Sequence, residues 1–275
     1  MSKLEGKVAL ITGSGRGIGQ AIAMKLASEG AKVVINDIDE APAAETVALI
    51  EKLGGTAAAY VGDVTKPDFG AQFVNTALEK FGGIDIIVNN AGYAWDSVIQ
   101  KMSDEQWQAM LDVHVTAPFR VLRAAADWIK ETAKKEKEQG QRNMRKVVNI
   151  SSIGGLFGNA GQAGYSSGKT ALIGLTKTLA KEWGRYNVTV NCVAFGYIQT
   201  RMTQALAGDA VVEKIGERNV KMGLQPDMIA WMNMMIPLGR GGTPEEAAGA
   251  VYLLCIPESD YVSGEVLLAS GGFVM

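Results

Sequence analysis

The sequence predicts an α/β protein in which helices cover both faces of a doubly wound parallel sheet. Short runs of β-branched and aliphatic residues alternate with longer stretches of helical periodicity, and the connections between them are short. At 275 residues, with no internal repeat and no linker-like segment, the chain fits a single domain, residues 1–275.

The first strand, Val8–Ile11, runs directly into a glycine-rich loop, residues 12–19, with the sequence TGSGRGIG. Apolar residues then recur at helical spacing, so the loop joins a strand to a helix. Glycines in that place allow a tight turn and let the backbone approach a pyrophosphate, while the helix N-terminus directs N–H groups at the anion. The loop therefore predicts a dinucleotide site of the Rossmann type; the alternative is a glycine-rich turn without a ligand.

An acidic residue, Asp37, ends the second predicted strand, residues 33–37, about 20 residues after the glycine loop. A carboxylate in this place accepts hydrogen bonds from the adenosine ribose hydroxyls and repels a 2′-phosphate. It therefore favours NAD over NADP. Arg16, in the glycine loop, would act in the opposite direction by meeting a phosphate, and we expect the carboxylate to dominate.

The next elements again end in polar or glycine residues. They are a helix at residues 42–53, a strand at 57–61 followed by Asp63 and Val64, a helix at 69–81, and a strand at 84–88 that leads into Asn89, Asn90, Ala91 and Gly92. In a parallel sheet the carboxyl ends of the strands lie along one edge, where the ligands of α/β proteins bind. These residues therefore point to one site.

The second half of the chain continues the alternation. It begins with a long helix at residues 103–128, capped by Ser103 and Gln106, and a charged helix end and solvated loop at 130–146. A strand at 147–150, a helix at 163–180 and a strand at 188–193 follow. The chain then has an irregular methionine-rich segment at 202–236, a helix at 247–254 and a last strand at 265–268. The single histidine, His114, falls inside the long helix.

Tyr165 and Lys169 are four residues apart on the helix predicted at residues 163–180, so their side chains share one face. A free phenol has a pKa of about 10, and a fixed cation beside it favours the phenolate. Such a pair can exchange protons near neutrality, and a hydroxyl from the preceding strand end, Ser151 or Ser152, could hold a substrate oxygen against the phenol. The alternative is a surface pair that occurs by chance.

Composition excludes several classes of function. The net charge is −2 and charged residues make up 20% of the chain, so no basic field favours nucleic acid or anionic lipid. The two cysteines lie in apolar runs, which predicts that both pack in the core. Such cysteines favour a reducing compartment over secretion. No apolar run reaches membrane-spanning length. We expect a soluble, cytoplasmic protein that acts on a small-molecule substrate and holds no metal.

Taken together, these motifs resemble the short-chain dehydrogenase/reductase family over nearly the whole chain. The residues that carry the resemblance, in the order and spacing of the family, are Thr12 to Gly19, Asp63, Asn89 to Gly92, Ser152, Tyr165, Lys169, the turn from Phe195 to Thr200, and Tyr261 to Gly264. The step of thirteen residues to Tyr165 matches Ser152 rather than Ser151.

The resemblance implies a role for each site residue. Tyr165 would be the acid/base, Lys169 would bind the nicotinamide ribose and lower the tyrosine pKa, and Ser152 would orient the carbonyl. The implied cofactor contacts are Gly13, Arg16, Ile18 and Gly19 at the pyrophosphate, Asp37 at the adenosine ribose, Asp63 and Val64 at the adenine, Asn90 in the cofactor ribose region with Ala91 and Gly92 beside it, and Ile198 and Thr200 at the carboxamide and phosphates.

One departure from the family concerns His114, which stands where the family usually has an asparagine that holds a water against the active-site lysine. A neutral imidazole could carry the same water, and its pKa of about 6.5 would add a pH dependence. The alternative is a histidine that is hydrogen-bonded between helices and has no proton role. A histidine here also resembles the (3R)-hydroxyacyl-CoA dehydrogenase domains of multifunctional β-oxidation enzymes, which hints at thioester substrates.

The predicted function is that of an NAD(H)-dependent oxidoreductase that interconverts a secondary alcohol and a ketone. The substrate would be a 3-hydroxyacyl/3-oxoacyl thioester or a bulky cyclic or aromatic alcohol, and the alternative is a catalytically silent NAD-binding subunit that supports a partner. Apolar residues at helical spacing in the methionine-rich segment could close over a substrate or pack against a subunit: Met228, Trp231, Met232 and Met235. The resemblance also implies a homotetramer.

Overall fold

A computed structural model describes residues 2–206, 211–215 and 218–273, and between 211 and 222 it describes the side chains of Val220 and Met222 alone. The strands within these residues are β1 (Val8–Ile11), β2 (Lys32–Asp37), β3 (Thr56–Val61), β4 (Ile86–Asn89), β5 (Arg145–Ser152), β6 (Val188–Phe195), β7 (Val211–Ile215), β8 (Arg218–Met222) and β9 (Val266–Ala269). Seven of them form one parallel sheet in the order β3-β2-β1-β4-β5-β6-β9. The predicted doubly wound sheet is confirmed.

Helices cover both faces of this sheet. The helices are α1 (Gly17–Ser28), α2 (Glu40–Lys52), α3 (Phe69–Phe81), α4 (Asp104–Leu111), α5 (Ala117–Glu138), α6 (Ile153–Phe157), α7 (Ala163–Trp183), α8 (Pro226–Met235) and α9 (Pro244–Leu253). Buried side chains form one apolar cluster where α1 and α9 pack on the sheet and a second where α3, α5 and α7 pack on it. The central strands, such as β1 and β4, are buried along their whole length, as expected for a covered parallel sheet.

The order of the strands reverses between β1 and β4. Chain connections leave these two neighbours in opposite directions, which opens a crevice at their carboxyl ends. The glycine loop after β1 and residues 90–92 after β4 line that crevice, so the predicted cofactor residues lie at the place where an open α/β sheet binds its ligands.

The prediction of one continuous α-helix at residues 103–128 is wrong. The Ser103–Gln106 capping box is present and starts α4, but a π-helical turn, Asp112–Thr116, separates α4 from α5. The cause lies at Pro118, near the start of α5. Proline has no N–H, so the carbonyl of His114 lacks the donor that an α-helix would supply four residues later. The turn widens, and the N–H of Ala117 bonds to the carbonyl of Asp112.

Composition predicts that the charged stretch at residues 130–146 is a helix end followed by a solvated loop. The loop is shorter than predicted. Helix α5 continues to Glu138, and β5 already begins at Arg145. Arg145 is buried, and its Nη2 lies 2.6 Å from Oε1 of Glu136 while its guanidinium stands over the ring of Trp128. Composition alone hides this ion pair, because its partners come from two different elements.

Residues 202–236 contain more regular structure than predicted. The antiparallel pair of β7 and β8 forms a small separate sheet, and the apolar residues at helical spacing lie on α8. Residues 207–210 and 216–217 of the predicted substrate segment lie outside the described residues. Among the helices of the described chain, none has the length and apolar character needed to cross a membrane.

Candidate active site

The glycine loop and the loop after β4 are joined at the crevice. The hydroxyl of Thr12 accepts hydrogen bonds from the N–H groups of Asn90 and Ala91, both at 3.0 Å. The Asn90 amide nitrogen donates to the carbonyls of Thr12 and Gly13 at 3.0 and 2.9 Å. Asn90, predicted to line the cofactor ribose, therefore has its amide engaged with the loop. Its contribution is to fix the loop's shape.

Close backbone packing shapes the loop itself. A methyl group built on Gly13, whose φ is +62°, would lie 2.8 Å from Cα of Ala91, and one on Gly19 would lie 2.0 Å from the carbonyl oxygen of Gly13. Only glycine fits at either position. At Gly17, by contrast, with φ of +58°, such a methyl would meet no heavy atom within 4 Å. The loop is therefore dense towards the protein and open on the side of Gly17.

The N-terminus of α1 is available to an anion. Arg16 is its N-cap residue, and its side chain makes no capping hydrogen bond, so the N–H groups of the first turn, which includes Ile18 and Gly19, have no side-chain partner from the cap. The helix dipole adds a partial positive charge there. An uncapped helix start beside the open face of Gly17 fits the pyrophosphate of a dinucleotide.

Asp37 lies beside the glycine loop, where the adenosine ribose is predicted to bind. It is 7% exposed, and a methyl group built on Gly15 would lie 2.5 Å from its Oδ2, so the carboxylate stands directly against the loop. Its neighbour Asn36 is fully buried and ties three segments together: it accepts from the N–H of Gly13 at 3.2 Å and donates to the carbonyl of Gly62 at 3.0 Å. Asn36 thus holds the acidic strand end in register with the loop.

Two further predicted cofactor residues follow β3. Asp63 is half-buried, and its Oδ1 accepts from the N–H and the hydroxyl of Thr65 at 2.9 and 2.7 Å, while Val64 is buried at 8% exposure. On the other side of the crevice, the backbone at Ile198 pairs with Gly242, and Thr200 starts a short 3₁₀ turn. All four residues follow the carboxyl ends of strands.

Ser152, Tyr165 and Lys169 are brought together by β5 and α7. Ser152 ends β5, and its hydroxyl is near enough to the Tyr165 hydroxyl to lower the pKa of the phenol. Lys169 lies one helical turn after Tyr165, with Nζ 5.7 Å from the centroid of the phenol ring and 2.8 Å from the carbonyl oxygen of Ile150. The Ser151 hydroxyl points elsewhere and donates to the carbonyl of Lys169 at 2.9 Å. The hydroxyl that faces the phenol is therefore that of Ser152.

Burial shifts the pKa values of this group. It raises the pKa of Tyr165 above the usual value, although the Ser152 hydroxyl acts in the opposite direction, and the charge of Asp96 raises it further. Desolvation lowers the pKa of Lys169 to about 8. The cation predicted to favour the phenolate is thus beside the ring, and burial is the largest influence on the pKa of the phenol. Near neutrality the site contains a neutral phenol beside an ammonium.

His114 completes the polar group on the far side of Tyr165. It is 1% exposed, its ring meets that of Tyr165 edge-on with centroids 5.1 Å apart, and its Nε2 lies 2.9 Å from the carbonyl oxygen of Tyr93. Because a carbonyl only accepts, Nε2 carries the proton and Nδ1 has a lone pair. Nδ1 is buried without a partner among the described residues.

The Nδ1 atom of His114 and the ammonium of Lys169 border the same small space beside Gly92. A methyl group built on Gly92 would lie 2.9 Å from Nδ1 and 3.5 Å from Nζ. Desolvation lowers the pKa of His114 well below 6.5, and the charge of Lys169 lowers it too. This contradicts the expected pH dependence near neutrality, because the imidazole stays neutral there.

Asp96 is a site residue that sequence reasoning missed. It is exposed at the surface near Tyr165, and desolvation raises its pKa while a hydrogen bond from Gln162 lowers it. Gln162 Nε2 donates to Asp96 Oδ2 at 2.7 Å, and the two loops are also joined by a β-bridge between Ser97 and Gln162. Gln162 is the N-cap residue of α7, three residues before Tyr165, but no local pattern in the sequence links Asp96 to it.

Comparisons with known proteins agree with this geometry. A family model described as short chain dehydrogenase matches residues 7–210. Curated relatives named 3-oxoacyl-(acyl-carrier-protein) reductase are 38% identical in Synechocystis sp., over the full length of both chains, and 37% identical in Vibrio cholerae, over 99% of each. A Thermotoga maritima relative of the same name is 38% identical over 99% of this chain and 100% of its own.

A solved structure leads to the same family. A short-chain dehydrogenase/reductase mutant from Serratia marcescens matches with a TM-score of 0.83 at 29% sequence identity, covering 99% of this chain and 100% of that one. The uncapped helix, the glycine cradle and the carboxylate at the adenosine end also fit a nicotinamide dinucleotide. The chain belongs to the short-chain dehydrogenase/reductase family, whose members are oxidoreductases that bind a nicotinamide cofactor.

Proposed function

We propose that this protein is an NAD(H)-dependent oxidoreductase that interconverts a secondary alcohol and a ketone, with a 3-oxoacyl thioester as its substrate. The observation that carries the proposal is the neighbouring pair of hydroxyls, Ser152 and Tyr165, with the Lys169 ammonium beside them at the carboxyl edge of the sheet. Two neighbouring hydroxyls can both reach one substrate oxygen.

The chain's own residues hold and move a proton in this reaction. Ser152 orients the carbonyl oxygen, and Tyr165 donates its proton to that oxygen as the alcohol forms. A bound nicotinamide supplies the hydride for reduction or accepts it in the reverse direction. Because burial raises the pKa of Tyr165, the phenol is protonated near neutrality and ready to donate. That state favours reduction as the working direction.

His114 acts in this proposal as a positioning residue rather than as an acid or base. Its Nε2–H is held by the Tyr93 carbonyl, which cannot take a proton onward, so the ring cannot pass a proton through itself. Its Nδ1 lone pair offers one acceptor beside Gly92 for the Lys169 ammonium or for a water bound to it. The acceptor stabilises the charged form of the lysine.

The substrate class rests on the relatives. Those named 3-oxoacyl-(acyl-carrier-protein) reductase match this chain from end to end at 37–38% identity. A thioester with a ketone at its third carbon presents the carbonyl that Ser152 and Tyr165 would bind. Bulky cyclic and aromatic ketones are the comparison substrates for the assay.

NAD(H) is the proposed cofactor because of Asp37. The carboxylate is buried at the end of β2 and stands against the glycine loop, where it can accept from ribose hydroxyls and repels a 2′-phosphate. Asp63 and Val64 would flank the adenine, and Ile198 and Thr200 the nicotinamide end. We place all of these residues in one domain, residues 1–275, with the described part of residues 202–236 on its substrate side.

The proposed assembly is a cytoplasmic homotetramer. Trp107 on α4 and Phe119 on α5 are 39% and 45% exposed in the single chain, on the two helices that flank the active site. In the proposed assembly a neighbouring subunit would cover these apolar side chains. Sedimentation equilibrium in solution tests this point directly.

The main experiment replaces Tyr165 by Phe. Absorbance at the NADH band is followed with a 3-oxoacyl thioester and with cyclic and aromatic ketones, and cofactor binding is measured by quenching of protein fluorescence. Loss of the proton donor should lower kcat by about 10²- to 10⁴-fold, with cofactor binding unchanged within about twofold. Tyr186→Phe, which removes a phenol hydroxyl outside the site, is the matched control.

Two outcomes would overturn the proposal. Full turnover by the Tyr165→Phe variant would refute the mechanism. A wild-type protein that binds NADH but turns over none of the substrates would instead favour a catalytically silent subunit that supports a partner.

A further inference from the structure

Arg16 and Asp39 form an ion pair at the adenosine end of the crevice. Nη2 of Arg16 lies 2.7 Å from Oδ2 of Asp39, and its Nε lies 3.9 Å from Oδ2 of Asp37. The Arg16 side chain is 36% exposed and that of Asp39 is 55% exposed, whereas that of Asp37 is 9% exposed. The Asp37 carboxylate is therefore buried in the protein, and the Asp39 carboxylate binds Arg16 from the solvent side.

Asp39 is placed to cap α2 but does not do so. It is the N-cap residue, and aspartate is among the best N-caps, yet its side chain makes no capping hydrogen bond. Its carboxylate is engaged with Arg16, and its N–H donates to Oδ1 of Asp37 at 3.1 Å. Asp39 thus links Asp37 to Arg16, and the helix start is left without its usual side-chain partner.

We propose that Asp39 is a specificity-determining residue that restrains Arg16 and so keeps the site from accepting NADP. The inference rests on the proposed function, which places the adenosine ribose at Asp37. A phosphate monoester carries roughly −1.5 to −2 charges near pH 7 and binds best against an arginine. Arg16 is the single basic residue of the loop at positions 12–19, and its guanidinium is occupied by Asp39.

The restraint of Arg16 by Asp39 and the repulsion of a 2′-phosphate by Asp37 are two separate effects. Asp37 acts on the 2′ position through its own buried charge, while Asp39 removes the cation that could offset that charge. Because the pair is exposed, its strength is modest and falls with salt. The two carboxylates should therefore differ in their effects: loss of Asp37 weakens NAD binding, and loss of Asp39 frees Arg16 with NAD binding intact.

The test is a double-mutant cycle between positions 16 and 39. Asp39→Asn removes the charge and keeps both size and capping ability, and Arg16→Gln removes the cation. Glu40→Gln is the matched control, since Glu40 is the next residue, is exposed and also carries a negative charge at the start of α2. Equilibrium binding of NAD⁺ and of NADP⁺ is measured by calorimetry at low and high salt, beside kcat/KM with each cofactor.

The expected result is that Asp39→Asn tightens NADP⁺ binding by about two- to fivefold and changes NAD⁺ binding by less than about 1.5-fold. High salt should reduce the gain, and adding Arg16→Gln should cancel it. An unchanged NADP⁺ affinity, an equal gain in Glu40→Gln, or a gain that persists without Arg16 would overturn the inference.

The two proposals fail in different ways. A wild-type protein that already binds NADP⁺ as tightly as NAD⁺ would overturn the restraint but leave the alcohol–ketone chemistry standing. A wild-type protein that binds neither dinucleotide would overturn the proposed function, and this inference with it.

Discussion

The two nitrogens of His114 can be tested separately. An asparagine at position 114 places a polar atom near the former Nδ1 and loses the reach to the Tyr93 carbonyl. A glutamine keeps a donor near the former Nε2, within reach of that carbonyl, and loses the acceptor beside Lys169. The His114→Asn variant therefore removes the hydrogen bond of Nε2 to Tyr93, and the His114→Gln variant removes the acceptor that Nδ1 offers beside Gly92.

The magnitudes follow from the contact that each variant removes. His114→Asn removes the buried hydrogen bond between Nε2 and the Tyr93 carbonyl, and such a loss costs about 1–3 kcal/mol of stability. His114→Gln keeps that bond and should unfold within roughly 1 kcal/mol of the wild type, the usual range for a core change of similar volume. In the proposed role it removes the acceptor that Nδ1 offers to Lys169 or to a water bound there, and a hydrogen bond to a charged group contributes about 1.5–3 kcal/mol, or roughly 10- to 100-fold in kcat.

The pH dependence of stability provides an independent measurement. The folded-state pKa of His114 lies well below 6.5, so between that value and 6.5 the unfolded chain binds more protons than the folded protein. The stabilising contribution is fully present above pH 6.5 and is lost as the pH falls below it, at up to about 1.4 kcal/mol per pH unit. The His114→Gln variant should lose this slope.

Urea unfolding at several pH values and steady-state kinetics with a 3-oxoacyl thioester measure both effects. We expect low kcat with near-normal stability for His114→Gln, and lower stability with better-preserved kcat for His114→Asn. Full activity in the His114→Gln variant would refute the positioning role of Nδ1. A wild-type activity profile that titrates near pH 6.5 and is flat in both variants would refute the neutral imidazole.

Two further variants probe the surroundings of the phenol. Asp96→Asn removes a charge that raises the pKa of Tyr165, so the pH midpoint of alcohol oxidation should move to lower pH; an unmoved midpoint would contradict this. Gly92→Ala would place a methyl 2.4 Å from Cε1 of His114. Urea unfolding should show a loss of stability of about 1–3 kcal/mol, and kcat should fall. Gly174→Ala is the control, because a methyl there meets nothing within 4 Å and should cause neither effect.

The sequence predicts the sheet and the catalytic group well because both depend on local patterns. Buried parallel strands such as β1 are nearly continuous apolar runs, and a glycine loop between such a strand and a helix is typical of a dinucleotide site. Tyr165 and Lys169 share a helix, so their spacing alone sets their proximity. In each case the relevant neighbours lie within a few residues of one another in the chain.

The features that escaped prediction depend on contacts between distant segments. Asp96 reaches the site only because the loop after β4 bridges to Gln162. Arg145 and Glu136 look like surface charges until α5 and β5 bring them together. The π turn is an intermediate case, since Pro118 is visible in the sequence, but its effect on His114 depends on a register that periodicity does not resolve.

The glycines around the site connect the local sequence to the electrostatics of the catalytic group. A methyl on Gly155 would lie 2.7 Å from Cβ of Lys169, and one on Gly168 would lie 2.9 Å from Cβ of His114. These positions let α6, α7 and the π turn approach at backbone contact and exclude water from both side chains. Desolvation then lowers the pKa of both groups and raises that of Tyr165. Larger residues would admit water and weaken these shifts, so the pKa of each group would move back towards its usual value.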